Sequence, residues 1–301
     1  MNEKIDISII IPTILQKDRI KNIKQALDAL TNQIFNQEIN FEIIIVDNGN
    51  SLLNQQISKK YKSKIKNLTI IKEPVIGLSK ARNKGILNSK GKIVAFIDDD
   101  ICPSKNWVNA LIKAHATLEA FCVGGPVTIS NPTLPSWFSD YFLRFLVSPK
   151  FPQKFGVITQ PFYLIGANMS FKQEVFGRYG LFDENLGRKG KNLLSGEDVE
   201  FINRLGSKNV YFEPEARVTA RIGPKRLSRR YFVRRIFWQA ISEARIVNKL
   251  GAGWLYDKKE LSFSRYFFES LLRNLGNNNF LQFSCMIVRI ITFKICLTFN
   301  L

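Results

Sequence analysis

A chain of 301 residues with 45% hydrophobic and 12% aromatic content is long and apolar enough to bury a core, which excludes global disorder. Its 44 Lys and Arg against 25 Asp and Glu give +19 and a pI near 9.8, a balance that favours an anionic partner: nucleic acid, an acidic membrane surface or a phosphorylated substrate. Cys102, Cys122, Cys285 and Cys296 form no CxxC pair and no zinc-ligand spacing, so reduced cysteines in the cytoplasm are expected. The polar start leads straight into a strand, with no signal-peptide pattern, and no uncharged apolar run is long enough to read as a membrane span.

Ile7 to Ile11 reads as a first buried strand, stopped by Pro12-Thr13. Ile20, Ile23, Leu27, Leu30 and Ile34 then recur at helical spacing. Phe41 to Val46 is a second strand, closed by the turn residues Asp47-Asn48-Gly49. A lysine-rich helical stretch leads to a third strand, Leu68 to Ile71, and Gly77 to Gly85 opens another helix. Ile93 to Ile97 is the fourth strand. Strands alternating with helices in this way predict an α/β fold with a mainly parallel sheet. The first strand is not followed by GxGxxG, which disfavours nicotinamide and flavin enzymes.

Asp98-Asp99-Asp100 follows the fourth strand, and Cys102-Pro103 ends the run before the next helix. The carboxyl end of a central strand is where α/β sheets bind ligands. Three adjacent carboxylates repel one another unless a cation or polar ligand compensates, and an oxygen-only set suits Mg²⁺ or Mn²⁺. The plain alternative is a solvated acidic turn. Trp107, Leu111, Ala114 and Leu118 give the next helix its stripe, with His115, the single histidine, as a boundary residue. Residues 126–161 break the pattern and read as a functional loop or lid. Gly166 to Phe171 returns as a strand whose glycine and Asn168 suggest that something approaches the backbone closely. After an exposed loop near 181–197, Ser195-x-x-Asp198 fits a capping box ahead of a helix carrying Val199, Ile202 and Leu205. A carboxylate at that position is also rigidly aimed, as a general base must be, and the two readings are compatible.

These pieces in this order resemble the family 2 glycosyltransferases, over roughly Ile7 to Ala244. The markers are SIIIPT at 8–13 with Arg19, EIIIVDNGNS at 42–51, GLSKARNKGI at 77–86, VAFIDDD at 94–100, IGANMSF at 165–171 and SGEDVEF at 195–201. The resemblance implies a GT-A fold, a nucleotide-diphosphate sugar donor and a single, inverting displacement. It places Pro12, Thr13, Arg19, Asp47, Asn48, Arg82, Asn83, Asp98 and Asp99 on the donor and Gly166, Ala167 and Asn168 on the acceptor side. Asp100 would ligate Mn²⁺ or Mg²⁺, and Asp198, with Glu197 beside it, would deprotonate the acceptor hydroxyl. Two departures stand out. Ala220 occupies the place of the histidine in the A-x-V-x-H pattern of many relatives, and no further Asp follows VDNGNS.

From Lys225 the chain is expected to be helical, dividing it into a catalytic domain (1–224) and a basic, aromatic region (225–301). Lys225, Arg226, Arg229, Arg230, Arg234 and Arg235 sit among Tyr231, Phe237, Trp238 and Ile241. The apolar segment Phe280 to Leu301 is interrupted by Arg289 and Lys294. Such segments either lie on anionic lipid or pack on the catalytic domain with their charges in water. The expectation is a peripheral enzyme on the inner membrane face acting on a glycan or lipid-linked acceptor. The competing readings are a sugar-phosphate nucleotidyltransferase, for which the glycine-rich first turn is missing, and a nucleic-acid binder, for which no module is recognisable.

Overall fold

The computed structural model describes residues 4–16, 19–49, 54–116, 120–130, 133–147, 151–158, 164–251 and 280–299. Leu118, Asn50 and Pro161, used in the sequence reading, lie outside them. Strands β1 (Ile7–Thr13), β2 (Phe41–Asp47), β3 (Leu68–Lys72) and β4 (Ile93–Ile97) pair in parallel in the order β3-β2-β1-β4. The sheet continues through β9 (Asn168–Lys172), β6 (Cys122–Gly124), β10 (Val210–Phe212) and β8 (Gly156–Val157). Only β9 and β8 run against the others.

Every residue of β1 and β4 is buried, as expected of strands covered on both faces. Their alternation divides the core. Ile7, Ile9, Ile11, Ile43, Ile45, Ala95 and Ile97 face one cluster with α1 (Ile20–Thr31), α2 (Asn54–Tyr61) and α4 (Trp107–His115). Ile10, Ile44, Val46, Val94 and Phe96 face the other, with α3 (Leu78–Asn88), α6 (Glu174–Tyr179) and α7 (Glu197–Leu205). Ile34, assigned to the helical stripe, lies past the end of α1 and is exposed.

Two sequence expectations are corrected here. β1 does not stop at Pro12; it runs to Thr13, in register with Asp47. Its pairing with β4 ends earlier, at Ile10 opposite Phe96, so the proline interrupts no bond on that side. Nor does Cys102-Pro103 simply terminate a run. Ile101–Pro103 is β5, part of a second sheet with β11 (Val218–Ala220) and β7 (Val127–Ile129). This small sheet carries the segment after Ala220 back to the acidic turn. His115 is no boundary residue either. It is buried, with Nδ1 3.3 Å from the Ala120 carbonyl and Nε2 2.8 Å from Ser170 Oγ, and burial lowers its pKa to about 3.

Within the 126–161 stretch, α5 (Asp140–Leu143) and the aromatics Trp137, Phe138 and Phe142 pack on Phe232 of α8 (Arg229–Leu250). Phe232 and Ile236 belong to the same core cluster as β1. The last described helix, α9 (Phe280–Phe299), lies along α8. Arg289, which interrupts its apolar sequence, forms a buried pair with Glu243 of α8 at 2.8 and 3.0 Å. No described helix is long and apolar enough to cross a membrane.

Candidate active site

The carboxyl ends of β1, β2 and β4 open on one side of the sheet. Strand order turns back between β1 and β4, the crevice where open α/β sheets bind ligands. The three acids after β4 have different surroundings. Asp98 is 37% exposed and lies 3.4 Å from Arg82. Asp99 is buried and accepts from Thr13 Oγ1 at 2.5 Å and Arg19 NH1 at 2.7 Å. Burial raises the Asp99 pKa to about 6 despite Arg19. Asp100 Oδ2 accepts from Arg226 at 2.8 Å, and its carbonyl accepts from Arg221 N–H at 2.9 Å. Its pKa is also pushed up by burial, with Arg226 opposing. The triplet is therefore neither a solvated turn nor three equivalent ligands.

Arg82, fully buried on α3, connects this turn to α7. It donates to Glu197 Oε1 at 2.6 Å and to the Gly166 carbonyl at 3.0 Å, besides contacting Asp98. Burial alone would lower the arginine's pKa, but Glu197, Asp98 and Asp198 outweigh it and raise it. Glu197 is itself shifted upward, by burial first and then by Asp198. The neighbouring Asp198 is only partly buried. Its Oδ2 accepts from Gly166 N–H and its Oδ1 from Val199 N–H, both at 2.8 Å. A Cβ on Gly166 would stand 2.8 Å from Asp198 Oδ2 and 3.0 Å from Arg82 NH2. The close approach inferred at this glycine is thus made by the site's own side chains.

The capping-box expectation gives way. α7 starts one residue later, from Gly196 at φ 90°, and Ser195 Oγ instead donates to Gln239 of α8 at 3.0 Å. The three assigned asparagines each make bonds within the fold. Asn48 binds the carbonyls of Glu73 and Val75 and the N–H of Gly77. Asn83 holds Phe182 N–H and carbonyl and Glu184. Asn168 is fully buried, accepting from Trp107 Nε1 at 2.9 Å and donating to the Pro126 and Ala216 carbonyls. These bonds brace the loops and strands around the site. Pro12 and Asp47 sit at the strand ends as expected, with Asp47 buried and accepting from Gly49 N–H at 3.0 Å. Ala167 packs against the core cluster.

Sequence reasoning missed Arg188 and misplaced Arg226, Tyr231 and Arg235. Arg188 NH2 lies 3.5 Å from the Tyr231 hydroxyl, and its pKa is raised: burial would lower it, but Tyr231, Asp98 and Asp100 prevail. The loop carrying it is tied down by Leu78 N–H to the Arg188 carbonyl, Arg234 to the Lys191 carbonyl and Lys249 to Asp183. No local signal marks Arg188, since its place depends on a loop strapped to two distant helices.

Among the described residues no group of three His, Cys, Asp or Glu could hold a metal ion. Ala220 is buried in β11 opposite Ile101 and offers no ligand. Asp98 and Asp100 remain, and a pair of carboxylates completed by substrate phosphates is an ordinary setting for Mg²⁺ or Mn²⁺.

The family model for Glycosyl transferase family 2 matches residues 8–180, more than half of the chain. Glycosyltransferase AglE of Haloferax volcanii is 32% identical over 66% of this chain and 60% of its own length. A glucosyl-dolichyl phosphate glucuronosyltransferase of the same organism is 29% identical over 56% of this chain and 55% of its own length. The chain thus spans little more than half of these curated relatives. Among solved structures, the mannosyltransferase PcManGT from Pyrobaculum calidifontis, in complex with GDP-Man and Mn²⁺, aligns with a TM-score of 0.63 at 14% identity, covering 99% of this chain and 88% of that one. S. aureus TarS 1-349 with UDP-GlcNAc aligns at 0.58 and 16% identity, covering 90% and 78%. These likenesses establish the GT-A fold, and with the match to more than half its length the chain belongs to glycosyl transferase family 2.

Proposed function

We propose that the chain transfers a sugar from a nucleotide-diphosphate donor to a hydroxyl of a glycan or lipid-linked acceptor, with inversion at the anomeric carbon. The observation that carries this reading is the aim of Asp198. Its two oxygens are fixed by the N–H groups of Gly166 and Val199, beside an Arg82 that also reaches the acidic turn. A carboxylate held in this way accepts the acceptor's proton as the hydroxyl attacks, and it does so without sacrificing orientation. Glu197 is a positioning residue: buried on Arg82, it fixes the guanidinium between α7 and Asp98. Thr13, Arg19 and Asp99 form a linked floor at the β1–β4 crevice under the donor.

Asp98 and Asp100 would hold Mg²⁺ or Mn²⁺ together with the donor's phosphates, and the ion would stabilise charge on the leaving diphosphate. Mn²⁺ in the PcManGT complex and the dolichyl-phosphate substrate named for one relative support this choice of cofactor and acceptor class. Exposed Ile291, Ile295 and Phe299 along α9, in a chain of +19, support contact with an anionic membrane.

The test is thermal stabilisation by UDP, GDP, CDP and dTDP, each with and without Mn²⁺, on wild type, Asp100→Asn and Asp198→Asn. One nucleotide should stabilise, with the metal-dependent part lost in Asp100→Asn. Asp198→Asn should keep donor binding and lose turnover. A folded protein that responds to none of the four overturns the reading.

A further inference from the structure

α8, the turn before it and the loop ahead of α7 bring Arg188, Arg226, Arg235 and Tyr231 to one side of the acidic turn. Arg226 is spoken for by Asp100 at 2.8 Å. Arg235 is not. It is 8% exposed, its Nε and one terminal nitrogen are buried without a hydrogen-bond partner, and its guanidinium carbon lies 5.9 Å from the centre of the Phe145 ring. Guanidinium N–H groups withdrawn from water with no acceptor are costly, the more so beside a second cation. Burial and then Arg188 pull its pKa down to about 10, which leaves it charged at neutral pH.

Among the described residues no acid bonds directly to Arg188 or Arg235. Glu243 bonds with Arg289 and Gln239, and Glu197 bonds with Arg82; both influence Arg235 only at longer range. Tyr231 adds a hydroxyl 3.5 Å from Arg188. Burial would raise that hydroxyl's pKa, but Arg188, Arg226 and Arg235 bring it down to about 7. The result is a cluster rich in donors and poor in acceptors, within electrostatic reach of Asp98 and Asp100. Planar guanidinium groups match the oxygens of phosphate, several of which can be satisfied at once.

We propose that Arg188, Arg235 and Tyr231, with Arg226 at the rim, form a phosphate-binding subsite beside the acidic turn. The identity of the ligand rests on the transferase reading, which offers two sources: the donor's diphosphate and the phosphate of a lipid-linked acceptor. In either case the arginines contribute positive charge on the side of the crevice where Ala220 provides no metal ligand.

Calorimetry on the full chain tests this with inorganic pyrophosphate, UDP, GDP, their monophosphates, and farnesyl phosphate in neutral detergent. The proteins are wild type, Arg188→Gln, Arg235→Gln and Arg235→Lys. Pyrophosphate should bind at least about tenfold more weakly to both glutamine variants, with partial recovery in Arg235→Lys. Alongside the pyrophosphate loss, a matching loss for nucleoside diphosphates, larger than for monophosphates, identifies the donor as the source; a matching loss for farnesyl phosphate with the nucleotides unaffected identifies the acceptor. Without anion, Arg235→Gln should melt at or above the wild-type temperature, whereas a merely structural arginine would lower it. Wild type that ignores pyrophosphate, or variants that bind it unchanged, overturns the subsite. Arginine-dependent pyrophosphate binding with no response to any nucleoside diphosphate keeps the subsite and removes the donor reading.

Discussion

Substituting either member of the Glu243–Arg289 pair should loosen α9 from α8. The two side chains are 7% and 10% exposed and share two contacts, at 2.8 and 3.0 Å. Removing one partner of a buried pair strands the other charge, at about 3–5 kcal/mol. For Arg289→Met the lower end is expected, because Gln239 still donates to Glu243 at 2.9 Å. About 3 kcal/mol corresponds to a fall of roughly 6 °C in a chain of this size. The apolar contacts of α9, Phe293 and Cys296 against Ala240 and Ala244, and Cys285 and Met286 in the main core cluster, would remain. Glu243→Met with Arg289→Met should recover most of the loss, since a well-packed apolar pair often replaces a buried ion pair without penalty. The assay is a double-mutant cycle by urea and thermal unfolding, with amide exchange of 280–299 as the local readout. A single variant within 1–2 °C of wild type by this scale, or a double variant no better than the singles, would refute the reasoning.

Gly166→Ala should lower kcat at least about tenfold while donor affinity stays near wild type, because the new methyl stands 2.8 Å from the Asp198 oxygen and must displace it; donor titrations and initial rates separate the two. Arg226→Gln should free the Asp100 carboxylate from its 2.8 Å partner and tighten Mn²⁺ binding, read by Mn²⁺ paramagnetic resonance; unchanged or weaker binding counts against a metal at Asp100. Asp99, with a pKa raised from 3.8 to about 6, gives stability that is complete below 3.8 and is lost as pH rises through 6. Relative to wild type, Asp99→Asn should therefore gain about 3 kcal/mol between those limits, and parallel urea midpoints across the range would contradict this.

The sheet was legible because β1, β2 and β4 are buried on both faces, so their apolar runs survive without interpretation. Asp198 and the acidic turn were legible because they sit at element ends, where chemistry clusters. The small sheet was not: β5, β7 and β11 are three residues each, too short to show a period, and exist only through pairing over long sequence distances. The bonds of the asparagines were hidden for a related reason. Asn48, Asn83 and Asn168 lie where ligand contacts are expected, and nothing local reveals that backbone groups tens of residues away have already claimed their amides. Arg235 reads as one more surface cation in a basic helix, and only the packing of Phe145 and the 188 loop against it says otherwise.

The N–H groups that steer Asp198 belong to the main chain. A side-chain partner can be deleted by any substitution, but a peptide N–H disappears only if proline takes its place. The aim of the proposed base is therefore inherited from the path of the backbone between Ile165 and β9 and from the first turn of α7. Side chains around it are free to drift so long as position 166 remains small. The surrounding loops can then change while the orientation of the Asp198 carboxylate stays the same.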